Sequence, residues 1–249
     1  MPDHPTTDRE VTSNLLGGPS TRLIRTVDSF HGDDWSVPSL LPRWSRAHVV
    51  AHLALNAEGM ARGLRAVVAD DSDGDALEPR TMYDSDEKRD SDIEDLAKAE
   101  PAEIRDRLLA VTTLLHEAID ALPADRWEAR VERTPGGRSI RASAFPGMRL
   151  REIEIHHVDL GAGYTTADWD LEFGEHLLDA MDKRVDGEHP FEVRPLDSQR
   201  TWVFGSGESE YPVPVVTGPA GDLGWWLTGR PAPDTLSCSH GELPAIEGW

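Results

Sequence analysis

Cysteine is nearly absent from this sequence: Cys238 is the single one in 249 residues. No internal disulfide can form, and no cysteine-based zinc knuckle exists. Basic residues are also few, 25 Lys and Arg against 46 Asp and Glu, for a formal net charge of −21 at pH 7. Binding to nucleic acid or to an anionic membrane surface needs a basic footprint, so neither partner is expected. No stretch approaches the roughly 20 consecutive apolar residues of a membrane-spanning helix. The opening MPDHPTTDRE lacks a basic segment followed by an apolar run. No secretory signal is therefore expected, and the cytosol is the expected compartment. The acidic surface otherwise serves solubility.

What remains is a chain able to build a core, with 38% hydrophobic and 29% charged residues. Its length exceeds one compact helical bundle and suits two modest domains. Leu23, Ile24, Val27 and Phe30 recur at helical spacing, although Gly17-Gly18-Pro19 obscures where that first helix starts. Ser45 is placed to cap a second helix, with His48, His52, Leu55 and Gly59 along one side. Pro101 opens a third, carrying Ile104, Leu108, Leu115, Ile119 and Leu122 at bundle spacing. A fourth begins near Pro146 and is stopped by Gly161 and Gly163. The acidic connection ADDSDGDALEPRTMYDSDEKRDSDIEDLAKAE reads as a solvated loop in its first half and an anchored segment, with Met82, Tyr83 and Ile93, in its second.

After Tyr164 the pattern changes. A short helix (Phe173 to Arg184) precedes strand-like RTWVFG and YPVPVV, then a helix in GPAGDLGWWLTGR and a last strand in TLSCSH. The expected fold is therefore α+β: a four-helix bundle over 1–165 and a small mixed α/β domain over 166–249.

Two of these helices carry paired metal-ligand types. His48 and His52 are four residues apart, as are Glu152 and His156, so each pair shares a helix face. Arg149 and Asp159 extend the second pair into a stripe at 149, 152, 156 and 159. Desolvating such a stripe costs several kcal/mol unless its members are paired or bind something. Bundle interiors hold metals through carboxylates and imidazoles of facing helices. Spacing alone does not choose between His48 and His52, and a core histidine satisfied by a hydrogen bond is the common alternative. The ligand types exclude a thiolate centre and suit zinc, with iron, nickel or manganese also compatible. Three protein donors would leave an open position, as catalytic zinc sites do. Asp159 is placed to orient a ligand imidazole, and Asn56 and Tyr83 to hydrogen-bond a bound ligand.

Three segments, WSRAHVVAHLALNAEGM, MYDSDEKRDSDIE and MRLREIEIHHVDLGAGY, resemble in order the mycothiol-dependent maleylpyruvate isomerases, of the DinB-like superfamily of four-helix metalloenzymes. GPAGDLGWWLTGR is similar to their small C-terminal domain, so the likeness spans nearly the whole chain. The resemblance implies zinc on His52, Glu152 and His156, and a role in activity for Arg89 of DEKRD. It also implies a reaction, the conversion of maleylpyruvate to fumarylpyruvate with mycothiol as thiol cosubstrate. With Cys238 read as a small buried residue of the far domain, the nucleophile is expected from outside the protein. Arg89, or less directly Arg149 or Arg151, suits a substrate carboxylate or enolate. Other readings are a mycothiol S-transferase, a thiol-dependent isomerase of another unsaturated acid, and a non-catalytic metal-binding stress or sensor module.

Overall fold

A computed structural model describes residues 6–69, 80–182, 184–185, 189–207 and 212–246, with side chains described from residue 16. The chain divides into two compact units, Met1–Gly163 and Tyr164–Trp249. The first half of the acidic connection, read above as a solvated loop, falls almost wholly outside the described residues.

The first unit is built on helix α2 (Arg46–Ala69). Its buried residues lie on several faces, and many are small: Ala47, Ala51, Ala54, Ala57, Gly59, Ala61 and Gly63. Small side chains let neighbours approach from more than one direction, and α2 is flanked by several elements. It packs along α4 (Pro101–Asp120), and also against α3 (Asp86–Leu96), α5 (Phe145–Asp159) and strand β1 (Arg130–Glu132). Helix α1 (Thr6–Asp28) covers α5 and α4. Pro19 sits inside α1, so the Gly-Gly-Pro run that obscured the start of this helix does not break it. In α4, Ile104, Leu108, Val111, Leu115 and Ala118 are buried, a 4-3-4-3 rhythm that presents one apolar stripe. Pro101 takes the first turn, where its missing N–H costs nothing. Gly161 and Gly163, at φ 59° and 91°, end the chain run after α5 in left-handed backbone.

Two elements depart from the sequence expectation. The anchored half of the acidic connection is a helix, α3. Ser85 caps it by accepting from the Lys88 N–H at 3.1 Å, and Asp86 and Glu87 sit in its positive first turn. Only Ile93 of α3 is buried, too little apolar periodicity to be read from sequence. Between α4 and α5, β1 pairs antiparallel with β2 (Ser139–Arg141). This hairpin tethers the chain ahead of α3: Met82 and Tyr83 donate their backbone N–H groups to the carbonyls of Glu132 and Arg133, each at 2.9 Å. Ser45 precedes α2, but its hydroxyl is turned to His48 Nδ1 at 2.8 Å.

The second unit contains α6 (Leu171–Met181) and α7 (Ala220–Leu227), packed together against a four-stranded sheet. The strand order is β4 (Trp202–Phe204), β3 (Phe191–Pro195), β5 (Val215–Gly218), β6 (Ser237–Cys238). The β3–β5 pair is parallel and the other two are antiparallel. Phe191 lies with Phe204 and Trp226 at ring separations of 5.5 and 5.6 Å, the aromatic centre of this core. Strand β3 is absent from the sequence reading, because Glu192 and Arg194 interrupt a run of only five residues. The YPVPVV strand forms only from Val215, beyond its two prolines. Cys238 is half-buried on β6, more exposed than the buried position expected.

Gly59 is where the fold prepares its site. A Cβ there would lie 2.9 Å from Tyr83 Cε1 and 3.0 Å from the Met82 carbonyl oxygen. Gly59→Ala must therefore push the Met82–Tyr83 segment off α2. Overpacking of this kind costs about 1–3 kcal/mol. Urea denaturation should show a lower midpoint, and an unchanged midpoint would mean the segment yields freely.

Candidate metal centre

Facing positions on α2 and α5 bring three donors to one point. His52 Nε2 lies 2.9 Å from Glu152 Oε2 and 3.1 Å from His156 Nε2. The third side, His156 Nε2 to Glu152 Oε2, is 3.5 Å. A metal with bonds of about 2.0–2.1 Å at tetrahedral angles sets its donors about 3.3 Å apart, so the triangle has the size such an ion requires. These three residues form a candidate site for a divalent metal. His52 is buried, but Glu152 and His156 keep 18% and 15% of their side chains exposed. Solvent thus reaches one side of the cluster, and so can a ligand.

Hydrogen bonds set the state of each donor. The Asp159 carboxylate, fully buried, accepts from His156 Nδ1 at 2.8 Å. In the neutral ring this keeps the proton on Nδ1 and leaves the lone pair on Nε2 facing the centre, the tautomer a metal takes. His52 is held differently. Arg89 Nη2 lies 3.1 Å from His52 Nδ1, and a guanidinium only donates, so Nδ1 accepts and Nε2–H points to Glu152. Burial lowers the His52 pKa to about 4, opposed by the Glu152 hydrogen bond and assisted by the charges of His156 and Arg89. Burial also works against charge on His156, but the bonds to Asp159 and Glu152 outweigh it and raise this imidazole. Glu152 is likewise penalised by burial, yet its bonds from both histidines hold it well below the usual carboxylate range. A carboxylate stays ionised while His52 stays neutral, which is the state that binds cations.

Arg89 comes from α3 and stands at the rim of the cluster. Its other amino group donates to Asp90 at 2.8 Å, and its guanidinium lies 5.7 Å from the Tyr83 ring centroid. Burial raises the Tyr83 phenol, with Arg89 opposing, so the hydroxyl keeps its proton at neutral pH. A cavity of about 460 Å³ runs beside α2 and α3, lined among others by Gly59, Arg62, Tyr83, Lys88, Arg89 and Asp92.

The structure brings Asn56 and Arg149 together one turn along from the three donors. Arg149 Nη1 donates to Asn56 Oδ1 at 3.0 Å and to the Leu53 carbonyl at 2.9 Å. His48 lies outside the cluster. It stacks on Trp44 at 6.3 Å and meets Ser45 and Glu94. His157 faces α1, where Nε2 meets Thr26 Oγ1 at 2.7 Å. Sequence reasoning did not single out Trp44, whose ring lies 5.6 Å from that of His52, nor Arg62 and Lys88 in the cavity. An indole just ahead of a histidine-bearing helix was the available signal for the first. The other two look like solvated charges until α3 is seen to fold over α2.

Imidazole and carboxylate donors converging from two helices of a bundle, open on one side, mark a helical-bundle protein with a candidate metal centre. Residues 19–161 match the mycothiol maleylpyruvate isomerase N-terminal domain, and residues 168–248 match the C-terminal domain of the same isomerases. The chain belongs to this family and is an enzyme of its isomerase type. Two crystal structures share the fold over 97% of both chains: mycothiol-dependent maleylpyruvate isomerase, at 25% identity and a TM-score of 0.81, and a histidine-to-alanine mutant of such an isomerase, at 24% and 0.80. No curated protein matches the chain.

Elemental analysis of purified variants tests the donor set. His52→Ala, Glu152→Ala and His156→Ala should each lose the metal, and His157→Ala should keep it. Asp159→Asn, which weakens the hold on His156, should lower metal affinity about 10–100-fold. Full occupancy in Glu152→Ala would remove Glu152 from the set.

Proposed function

We propose that this enzyme isomerises maleylpyruvate to fumarylpyruvate with mycothiol as cosubstrate, using a divalent metal, zinc fitting best, on His52, Glu152 and His156. The observation that carries the proposal is the open three-donor cluster with Arg89 on its rim, in a chain whose family is that of such isomerases and whose fold is shared by a crystal structure of one.

A bound metal would supply thiolate at neutral pH, since coordination deprotonates a thiol. The protein's own residues provide the rest. Cys238, the single cysteine, is half-buried on β6, and the nucleophile in this reading is the thiol of the cosubstrate. The thiolate adds to the alkene carbon β to the keto group, and the alkene electron pair moves onto the carbonyl oxygen as an enolate. The former double bond is now single and rotates. The enolate re-forms the alkene in the trans arrangement and the thiolate leaves, so no oxidant, reductant or net proton is needed. Arg89 suits the anionic oxygens of this sequence, because a guanidinium holds a carboxylate or enolate by paired bonds. Were His52 to hold the metal through Nε2, its ring proton would sit on Nδ1 and oppose the Arg89 donor, which would leave that guanidinium available to a substrate anion. Tyr83, protonated, adds one more donor to the same space.

Absorbance of maleylpyruvate, followed with and without mycothiol, tests the reaction. Thiol-dependent conversion is expected. Its absence would sink this reading, and accumulation of a stable thiol conjugate would make the enzyme an S-transferase. Arg89→Ala should retain metal and melting temperature while kcat/KM falls about 10²–10³-fold. Unaltered kinetics would take Arg89 out of the site.

A further inference from the structure

Arg149 is a cation with almost no access to water, at 1% exposure, and it makes no ion pair among the described residues. Burial lowers its pKa to about 10, so it remains charged at neutral pH, with the ionised Glu152 carboxylate as its electrostatic support. Its Nη2 group is buried without any hydrogen-bond partner. A buried charge held in this way is destabilising unless something compensates it. What Nη1 does is specific: it fixes Asn56. Because a guanidinium has donors only, the amide atom facing it at 3.0 Å must be the carbonyl oxygen. The orientation of the Asn56 amide is thereby settled, and Nδ2 faces away from Arg149. Asn56 is itself only 5% exposed, yet Nδ2 keeps contact with solvent and meets no acceptor among the described residues. Asn56 sits on the face of α2 that carries His52, one turn further on.

We propose that Asn56 Nδ2 is a preset hydrogen-bond donor for an anionic oxygen of the substrate, and that Arg149 is a positioning residue that locks the amide and supplies positive potential behind it. The ligand class is a dicarboxylate or keto acid, not the thiol cosubstrate. Arg89 and Tyr83 add a guanidinium and a phenol donor nearby, and Arg89 bonds His52 directly. In a chain of net charge −21, Asn56 Nδ2 and Arg149 Nη2 are donors that meet no acceptor among the described residues. The inference rests on the proposed reaction for the identity of the acid, but not for the existence of the seat.

Maleate, a stable dicarboxylate, is the probe, titrated calorimetrically into the metal-loaded protein. Asn56→Asp is the informative variant. Aspartate can still accept from Arg149, so the fold is retained, but it presents an acceptor where the seat needs a donor. Maleate binding should weaken about tenfold to a hundredfold, the range for a hydrogen bond to a charged group. Metal content and melting temperature should stay as in the wild type. In turnover, KM for the acid should rise while KM for the thiol holds. Arg149→Lys, which cannot lock the amide, should show the same selective loss. Wild-type affinity for maleate in Asn56→Asp overturns the proposal. So does a loss that tracks metal release, which would make Asn56 merely structural, and so does a wild-type enzyme that binds no maleate. A wild type that binds maleate through Asn56 but does not isomerise maleylpyruvate leaves the seat standing and rejects the reaction, so the two failures are distinguishable.

Discussion

The contact between α2 and α5 carries the heaviest electrostatic demand in the molecule. Two imidazoles and a carboxylate point their donor atoms at one another across 2.9–3.5 Å, beside a buried guanidinium one turn away. None of these groups is well hydrated, and apart from Arg149 Nη2 each leans on its neighbours. Asp159 fixes the proton of His156, Arg89 meets His52, and Asn56 and the Leu53 carbonyl take the Arg149 donors. Surrounding elements keep the two helices at the distance this requires. Helix α1 ties to α5 through Arg22 and Glu154 at 2.6 Å and through Thr26 and His157, so the back of α5 is held while its polar face is turned to α2.

A second constraint shapes the entrance. The β1–β2 hairpin takes up the backbone of Met82 and Tyr83, and the missing side chain of Gly59 lets that segment lie on α2. Helix α3 then starts at a fixed place, and Arg89 arrives at His52. The path from sequence to function thus runs through a glycine and a hairpin that touch no donor atom themselves. It also accounts for the position of the cavity beside Arg89 rather than on the far side of α2.

Family membership and this geometry address different questions. The family places the chain among mycothiol-type isomerases, and two crystal structures share its whole fold. Related bundles run different chemistry on one scaffold, so the reaction is decided by groups near the donors rather than by the bundle. Here those groups are donors such as Arg89 and Tyr83, set beside a cavity that carboxylates including Glu58 and Asp92 also line.

By itself the amino-acid sequence determined the helices with dense apolar periodicity, the polar stripe on α5, the change of pattern after Tyr164 and the presence of a single cysteine. Each of these is local, because a helical repeat, a turn glycine or the presence of one cysteine can be read within a few residues. It left His48 and His52 equivalent, since both sit on one face at a spacing of four, and the resemblance to a family was needed to prefer His52. Tertiary structure separates them: α5 crosses α2 at the level of His52, while His48 is taken up by Ser45, Trp44 and Glu94. The hairpin, helix α3 and strand β3 were not legible, because their short, charged segments are stable only against partners distant in sequence. The same holds for the lock between Arg149 and Asn56. It joins residues 93 positions apart, and only packing puts a donor-only group opposite an amide and so decides which way that amide points.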